Sequence, residues 1–327
     1  MVSGGDDVDY TRMGGSGIEI SVITLGAWAF GSNEWGNQGS DEGCARVVAA
    51  ALDHGINILD TAPGYQRSQE IVGKALKALG NRRRELHIVT KCTGGPDNIR
   101  RQCDESLRLL GVETIDLYFI HGPTNDSPPA EQIATLGELK KEGKIRFIGV
   151  SNFRLSQHRE AFESVKFEAS QPCYGALWRE IENNGVGRWC LDNDVAVMPF
   201  SPLAQGMLTG KFRDLERVPR DVRGRNILFT PGRFEKCIKV VDEVERIGAK
   251  YGKSIAQTAI AWCVQSPYVT SAIVGARSPE QVAENAGGAG WRLDDEDFET
   301  IEKLGAEAVA DIDPNVNIWG DHANWGT

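Results

Sequence analysis

No stretch of the 327 residues approaches the roughly 20 consecutive apolar positions needed to cross a bilayer. The N-terminus, MVSGGDDVDY, is acidic and polar where a secretory leader would be basic and then apolar. Basic residues are in the minority. The 36 Lys and Arg stand against 46 Asp and Glu, a formal charge of −10, which argues against a partner rich in phosphates such as nucleic acid. The seven cysteines include no two closer than 11 residues, so C-x-x-C metal or redox pairs are lacking, and an odd count does not make a disulfide framework. The five histidines form no H-x-x-x-H pair. These deficits lead us to expect a soluble, cytoplasmic, metal-free protein with reduced thiols and no nucleic-acid or membrane partner. The 41% hydrophobic and 25% charged content is that of a packed globular chain.

Eight short apolar runs recur, at residues 18–26, 55–60, 85–91, 114–121, 145–151, 167–172, 195–201 and 270–276. Their starts lie 37, 30, 29, 31, 22, 28 and 75 residues apart. Most are near-continuous Ile, Val, Leu and Phe, as in parallel strands buried on both faces. Helical patterns separate them. Asp41 opens one with Val47, Val48, Ala51 and Leu52 inward; Asp97 is placed to cap another carrying Ile99, Cys103, Leu107 and Leu110, stopped by Gly111. Strand and helix alternating at this spacing predict an α/β fold, a (β/α)8 TIM barrel, as a single domain over residues 1–327. A hairpin at about 8–21 would cap the barrel bottom, an irregular basic stretch at 210–233 would form a long loop after strand seven over the mouth, and a tail would run from about 310 to 327. A doubly wound sheet is the weaker alternative, because no G-x-G-x-x-G follows any strand.

The later strands share an ending. Asp60, Lys91, His121, Ser151 with Asn152, Gln171, Ser201 and Arg277 each follow an apolar run. In a barrel, all such ends meet at one mouth, where active sites are built. Several chemistries fail on spacing. GVSNF lacks the second glycine of a nucleophile elbow, and GMLTGK is one residue short of a P-loop. Only Asp60 offers a carboxylate at a strand end, one fewer than glycoside hydrolysis requires.

DTAPGY (60–65), IVTK (88–91), DLYFIH (116–121), GVSNF (149–153), SQPCY (170–174), SPLAQGMLTGK (201–211) and GARSPEQVAEN (275–285) occur in this order. With them the chain resembles the aldo-keto reductases over roughly residues 18–310. The resemblance implies NAD(P)(H)-dependent, reversible hydride transfer between the nicotinamide and an aldehyde, ketone or sugar-like substrate. Asp60, Tyr65, Lys91 and His121 would form the catalytic tetrad. Tyr65 would be the general acid and base, its hydroxyl made more acidic by Lys91; Asp60 would hold Lys91 charged, and His121 would donate to the developing alkoxide.

The same resemblance implies that Ser151, Asn152 and Gln171 hold the nicotinamide carboxamide and that Tyr174 stacks on its ring, with Trp28 nearby. Ser201, Leu203, Gln205, Gly206 and Lys211 would cradle the pyrophosphate. Arg277, beside Gly275 and Gln281, would meet the 2′-phosphate of NADP(H), and Glu284 and Asn285 would reach the adenine. Because Gly275 and Gln281 stand where other members place basic residues, use of NAD(H) as well is plausible. Ser278 and Gln281 also read as a helix capping box that needs no ligand.

Two departures bear on the pocket. The loop after Tyr65 (Gln66, Arg67, Ser68) is about two residues short, and Gly122 follows His121 where many relatives carry a tryptophan. Trp28, Trp35, Trp178 and Trp319 are candidate replacements for that aromatic wall. The expected partner is a small carbonyl or alcohol. The competing reading is a cofactor-binding regulatory subunit without turnover.

Overall fold

The computed structural model describes residues 8–36, 39–218, 220–313 and 316–320. An antiparallel hairpin of β1 (Tyr10–Arg12) and β2 (Glu19–Ser21) leads into β3 (Ile23–Gly26) and α1 (Asp41–Asp53). Then come β4 (Ile58–Asp60), α2 (Ser68–Leu79), β5 (His87–Cys92), α3 (Pro96–Leu110), β6 (Ile115–Ile120), α4 (Pro129–Lys141), β7 (Ile145–Ser151) and α5 (Leu155–Ser164). The second half holds β8 (Ala169–Gln171), α6 (Glu180–Asn183), α7 (Val186–Asp192), β9 (Ala196–Val197), α8 (Arg233–Lys250), α9 (Ile255–Gln265), β10 (Ala272–Gly275), α10 (Pro279–Ala286) and α11 (Asp295–Val309).

The eight strands from β3 to β10 are parallel, in the order β10-β3-β4-β5-β6-β7-β8-β9. The sheet closes beyond the end of β9, where Ile273 N donates to Pro199 O at 2.8 Å and Phe200 bridges Ile273. This is the (β/α)8 barrel. Each of the eight apolar runs contributes one barrel strand. The first run is divided: at Val22 the chain leaves the hairpin and enters the barrel. β9 is short because Pro199 has no N–H to extend the ladder, although its carbonyl serves the closure.

Side chains alternate across the strands. Ile58, Val89, Leu117, Phe119, Ala169, Ala196, Met198 and Ile273 fill the barrel interior, joined by Met13 and Ile20 of the hairpin segment. The hairpin therefore plugs the barrel, as expected of residues 8–21. The opposite strand faces pack against the helices. α1 buries Val47, Val48 and Ala51, and its first turn is capped by Ser40 Oγ, which accepts from Gly43 N at 3.0 Å. α3 begins earlier than expected: Gly95 is the cap and Pro96 the first helical residue, leaving Asp97 inside the first turn. Gly111 ends the helix at φ 66°. Between Ser201 and Gly232 the described chain makes only short 3-10 turns, so the irregular loop after the seventh barrel strand begins earlier than residue 210.

Gly149 in β7 is a packing requirement. A Cβ there would stand 2.3 Å from the ring of Phe119, which occupies the interior beside it. Gly149→Ala is expected to destabilise the barrel by about 1–3 kcal/mol, the usual cost of overpacking. Urea denaturation measures it, and Phe119→Leu in the same chain should recover part of the loss.

Candidate active site

The strand register brings the polar strand ends to one level. Gly26 pairs with Asp60, Asp60 with Val89, and Ser151 with Gln171. Lys91, on β5, is fully buried. Its Nζ donates to Asp60 Oδ1 (2.6 Å), Thr61 O (3.0 Å) and Tyr65 Oη (3.2 Å). All three ammonium hydrogens are engaged. The other oxygen of Asp60 accepts from Gln171 Nε2 at 2.9 Å. Burial pushes the Lys91 ammonium below its ordinary value, and Asp60 opposes that shift.

Because Lys91 donates to the Tyr65 oxygen, the phenol retains its own hydrogen for another acceptor. The short loop after Tyr65 is anchored beside it. Ser68 N donates to Tyr65 O at 3.0 Å, and the Ser68 hydroxyl is held by Thr61 Oγ1 (2.8 Å) and Ala27 O (2.8 Å). Trp28 stacks on the phenol with centroids 5.4 Å apart, and the His121 ring meets it edge-on at 5.7 Å. Burial, then the Lys91 charge, lowers the His121 imidazole to about 3, so the ring is neutral at physiological pH. The expected acidification of Tyr65 is corrected. Burial raises the phenol well above its ordinary value, and the charges of Asp60 and Glu34 add to this. Asp60, 2.6 Å from Nζ, offsets the ammonium's field, so desolvation dominates.

This cluster borders a cavity of about 680 Å³ at the strand ends, with the fully buried Lys91 behind the wall. Asp60, Tyr65 and His121 meet it, as do Ser151, Asn152 and Gln171, the residues Ser201, Leu203, Gln205, Gly206 and Lys211, and Gly275, Arg277, Gln281, Glu284 and Asn285. Trp28, Trp35 and Trp319 form part of its wall. Besides Lys91, two expected residues lie away from the cavity. Tyr174 is buried against Trp262, its hydroxyl 2.5 Å from Glu182 Oε1 and 3.0 Å from Ser266 Oγ. Its ring is therefore held within the core, and Phe200, immediately before Ser201, presents the aromatic surface to the cavity. Trp178 is likewise buried outside the cavity, at the Gly175–Trp178 bridge. Glu34 and Arg223 line the cavity although no sequence motif flags them. Arg223 lies within the irregular loop, where its basic neighbours conceal it. The adjacency of Phe200 to the SPLAQG motif was the available signal for that residue.

A family model described as the aldo/keto reductase family matches residues 22–306. The chain belongs to the aldo/keto reductase family. It is 33% identical to the aldo-keto reductase YhdN of Bacillus subtilis (strain 168), with 93% of this chain and 96% of that protein covered. It is 34% identical to the NADH-specific methylglyoxal reductase of Escherichia coli (strain K12), covering 91% and 98%. Among solved structures, the glycerol dehydrogenase of Gluconobacter oxydans superposes with a TM-score of 0.83 at 35% identity, covering 94% of this chain and 99% of that one.

Aldo/keto reductases use nicotinamide cofactors, and the cavity has the chemistry for one. Asn152, at φ 58°, places both amide hydrogens on His121 O and Ser151 Oγ, and Gln171 donates to Asp60. Among the described residues, Asn152 Oδ1 and Gln171 Oε1 accept nothing, a pair of free acceptors suited to a carboxamide –NH2. Gln205, at φ 55°, is buried, and among the described residues its Nε2 has no partner, although its Oε1 accepts from Asn226 at 3.1 Å. A buried donor left unpaired among the described residues, in a left-handed turn and together with the cations Lys211 and Arg277, fits an anionic group; Arg223 also borders the cavity but is paired with Asp221. Arg277 also reaches Trp35 O at 3.2 Å, and its N–H donates to Gln281 Oε1 at 2.8 Å. Ser278 Oγ caps α10 by accepting from Gln281 N at 3.4 Å. In this family member, Lys91→Met should cost about 3–5 kcal/mol in urea denaturation, since it leaves Asp60 a buried carboxylate without its cation. Adding Asp60→Leu should return part of that loss; strict additivity would show that the pair is not coupled.

Proposed function

We propose that the protein is an NAD(P)(H)-dependent carbonyl and alcohol oxidoreductase in which Tyr65 moves the proton. The observation that carries this reading is the Lys91 contact at 3.2 Å: the ammonium donates to the phenol oxygen, leaving the phenol hydrogen available to a substrate oxygen. When bound, the nicotinamide supplies or accepts the hydride. Tyr65 Oη gives its proton to the carbonyl oxygen during reduction and recovers it during alcohol oxidation. Lys91 stabilises the phenolate as it forms, which a phenol held protonated by desolvation requires, and Asp60 keeps the ammonium in place. Neutral His121 polarises the substrate oxygen. Ser151, Asn152 and Gln171 orient the carboxamide, and Phe200 supports the ring.

NADPH is the preferred cofactor in this reading. Lys211 and Arg277 face the cavity, and Arg277 stands at the N-terminus of α10, where a 2′-phosphate is favoured. Gln281 in place of a second cation leaves room for NADH, the cofactor named for a relative 34% identical. The substrate is a small aldehyde, ketone or oxidised sugar. The cytoplasm is the expected compartment.

Tyr65→Phe should lower kcat by about 10²–10⁴ while tryptophan quenching gives a cofactor affinity within about threefold of the parent. Loss of both together would remove Tyr65 from the proton step. In the same quenching titration NADPH should bind more tightly than NADH, and Arg277→Met should abolish the difference. Equal affinities in the parent would retain the oxidoreductase and sink the phosphate contact.

A further inference from the structure

Glu34 is the carboxylate that the cofactor and proton chemistry leave unused. Among the described residues, three carboxylates line the cavity: Asp60, Glu284 and Glu34. Asp60 is engaged by Lys91 and Gln171, and Glu284 takes the Ser254 hydroxyl. Glu34 sits in the short 3-10 turn Asn33–Trp35, between β3 and α1. Its Oε2 accepts from Trp28 Nε1 at 2.6 Å and from Ser32 Oγ at 3.3 Å. Among the described residues, Oε1 accepts nothing. The carboxylate is therefore fixed in place by an indole that itself stacks on Tyr65, with one acceptor oxygen left.

Around it the wall is aromatic. Trp28 meets Trp35 edge-on at 4.9 Å and Trp319 at 6.1 Å, and all three border the cavity with Tyr65. The indoles offer an apolar surface for a carbon chain, while Glu34 offers one strong, negatively charged acceptor. A hydroxyl satisfies that acceptor. A substrate carboxylate or phosphate meets a like charge in a low-dielectric wall. Resting on the oxidoreductase reading above, we infer that Glu34, oriented by Trp28, is a specificity-determining residue that accepts a hydroxyl of a neutral polyhydroxylated substrate and excludes anionic carbonyl compounds.

Glu34→Gln tests this with little change of shape, because the amide oxygen can still accept from Trp28. In the parent enzyme, kcat/KM for glyceraldehyde should exceed that for glyoxylate, and Glu34→Gln should shrink the ratio by about tenfold, roughly what one near charge contributes. A ratio within twofold of the parent's would overturn the proposal. A second reading needs no turnover. Titrating glycerol and glycerate into the cofactor-bound protein compares a neutral triol with an anionic analogue. Glycerate should bind markedly better to the Glu34→Gln holoenzyme than to the parent, and glycerol worse. An unchanged preference would again overturn it. If neither aldehyde is reduced although cofactor binds, the oxidoreductase reading fails, and the glycerol and glycerate titrations still decide the role of Glu34.

Discussion

The Lys91–Asp60 pair is the constraint around which the mouth of the barrel is arranged. A buried ammonium is tolerable only when its charge is countered and its hydrogens are engaged. Here the counter-charge comes from the neighbouring strand, and the remaining acceptors are Thr61 O and Tyr65 Oη. That requirement recruits Gln171 from across the barrel, 111 residues away in sequence, to satisfy the second carboxylate oxygen. Three strands are thereby locked at a common height. The same network holds the tyrosine hydroxyl close to a cation without removing its proton.

Stability and chemistry are consequently drawn from one set of contacts. Desolvation makes the ion pair strong and keeps the phenol protonated and the imidazole neutral. Burial is the larger cause of both states, with Asp60 and Glu34 adding to the protonation of Tyr65 and Lys91 to the neutrality of His121, and Trp28 covers one face of the phenol. The part of the cavity proposed to hold the cofactor obeys a different rule. There the chain presents left-handed turns, amide oxygens that accept nothing among the described residues, and the exposed cations Lys211 and Arg277, while Arg223 is buried and paired with Asp221.

Much of this was legible in the sequence because it depends on position along strands. A polar residue after an apolar run must emerge at the strand end, so the order of residues alone places Asp60, Lys91, His121, Ser151 and Gln171 at one mouth. The hairpin plug was equally readable from the segment that precedes the first barrel strand. What escaped depends on side-chain direction and on irregular backbone. Tyr174 follows the SQPC motif closely, yet the chain turns it into the core towards Glu182, whereas Phe200 faces the cavity. Trp178 and Trp35 are indistinguishable by composition; only the folded turns decide that one is buried and the other borders the site. Glu34 and Arg223 sit in 3-10 segments, which have no hydrophobic period to reveal which face they present. The acidity of Tyr65 depends on the balance between desolvation and a neutralised ion pair, and residue type alone does not settle that balance.

The turn Asn33–Trp35 joins two neighbourhoods. Glu34 faces the aromatic wall beside Tyr65, and the next residue gives its carbonyl to Arg277 and its ring to Arg223, 5.7 Å away. Three consecutive residues thus touch both the catalytic side and the cationic side of the same cavity. An insertion or deletion in that turn would alter both environments in one event. On the proposed function, that one turn would couple substrate range to cofactor preference.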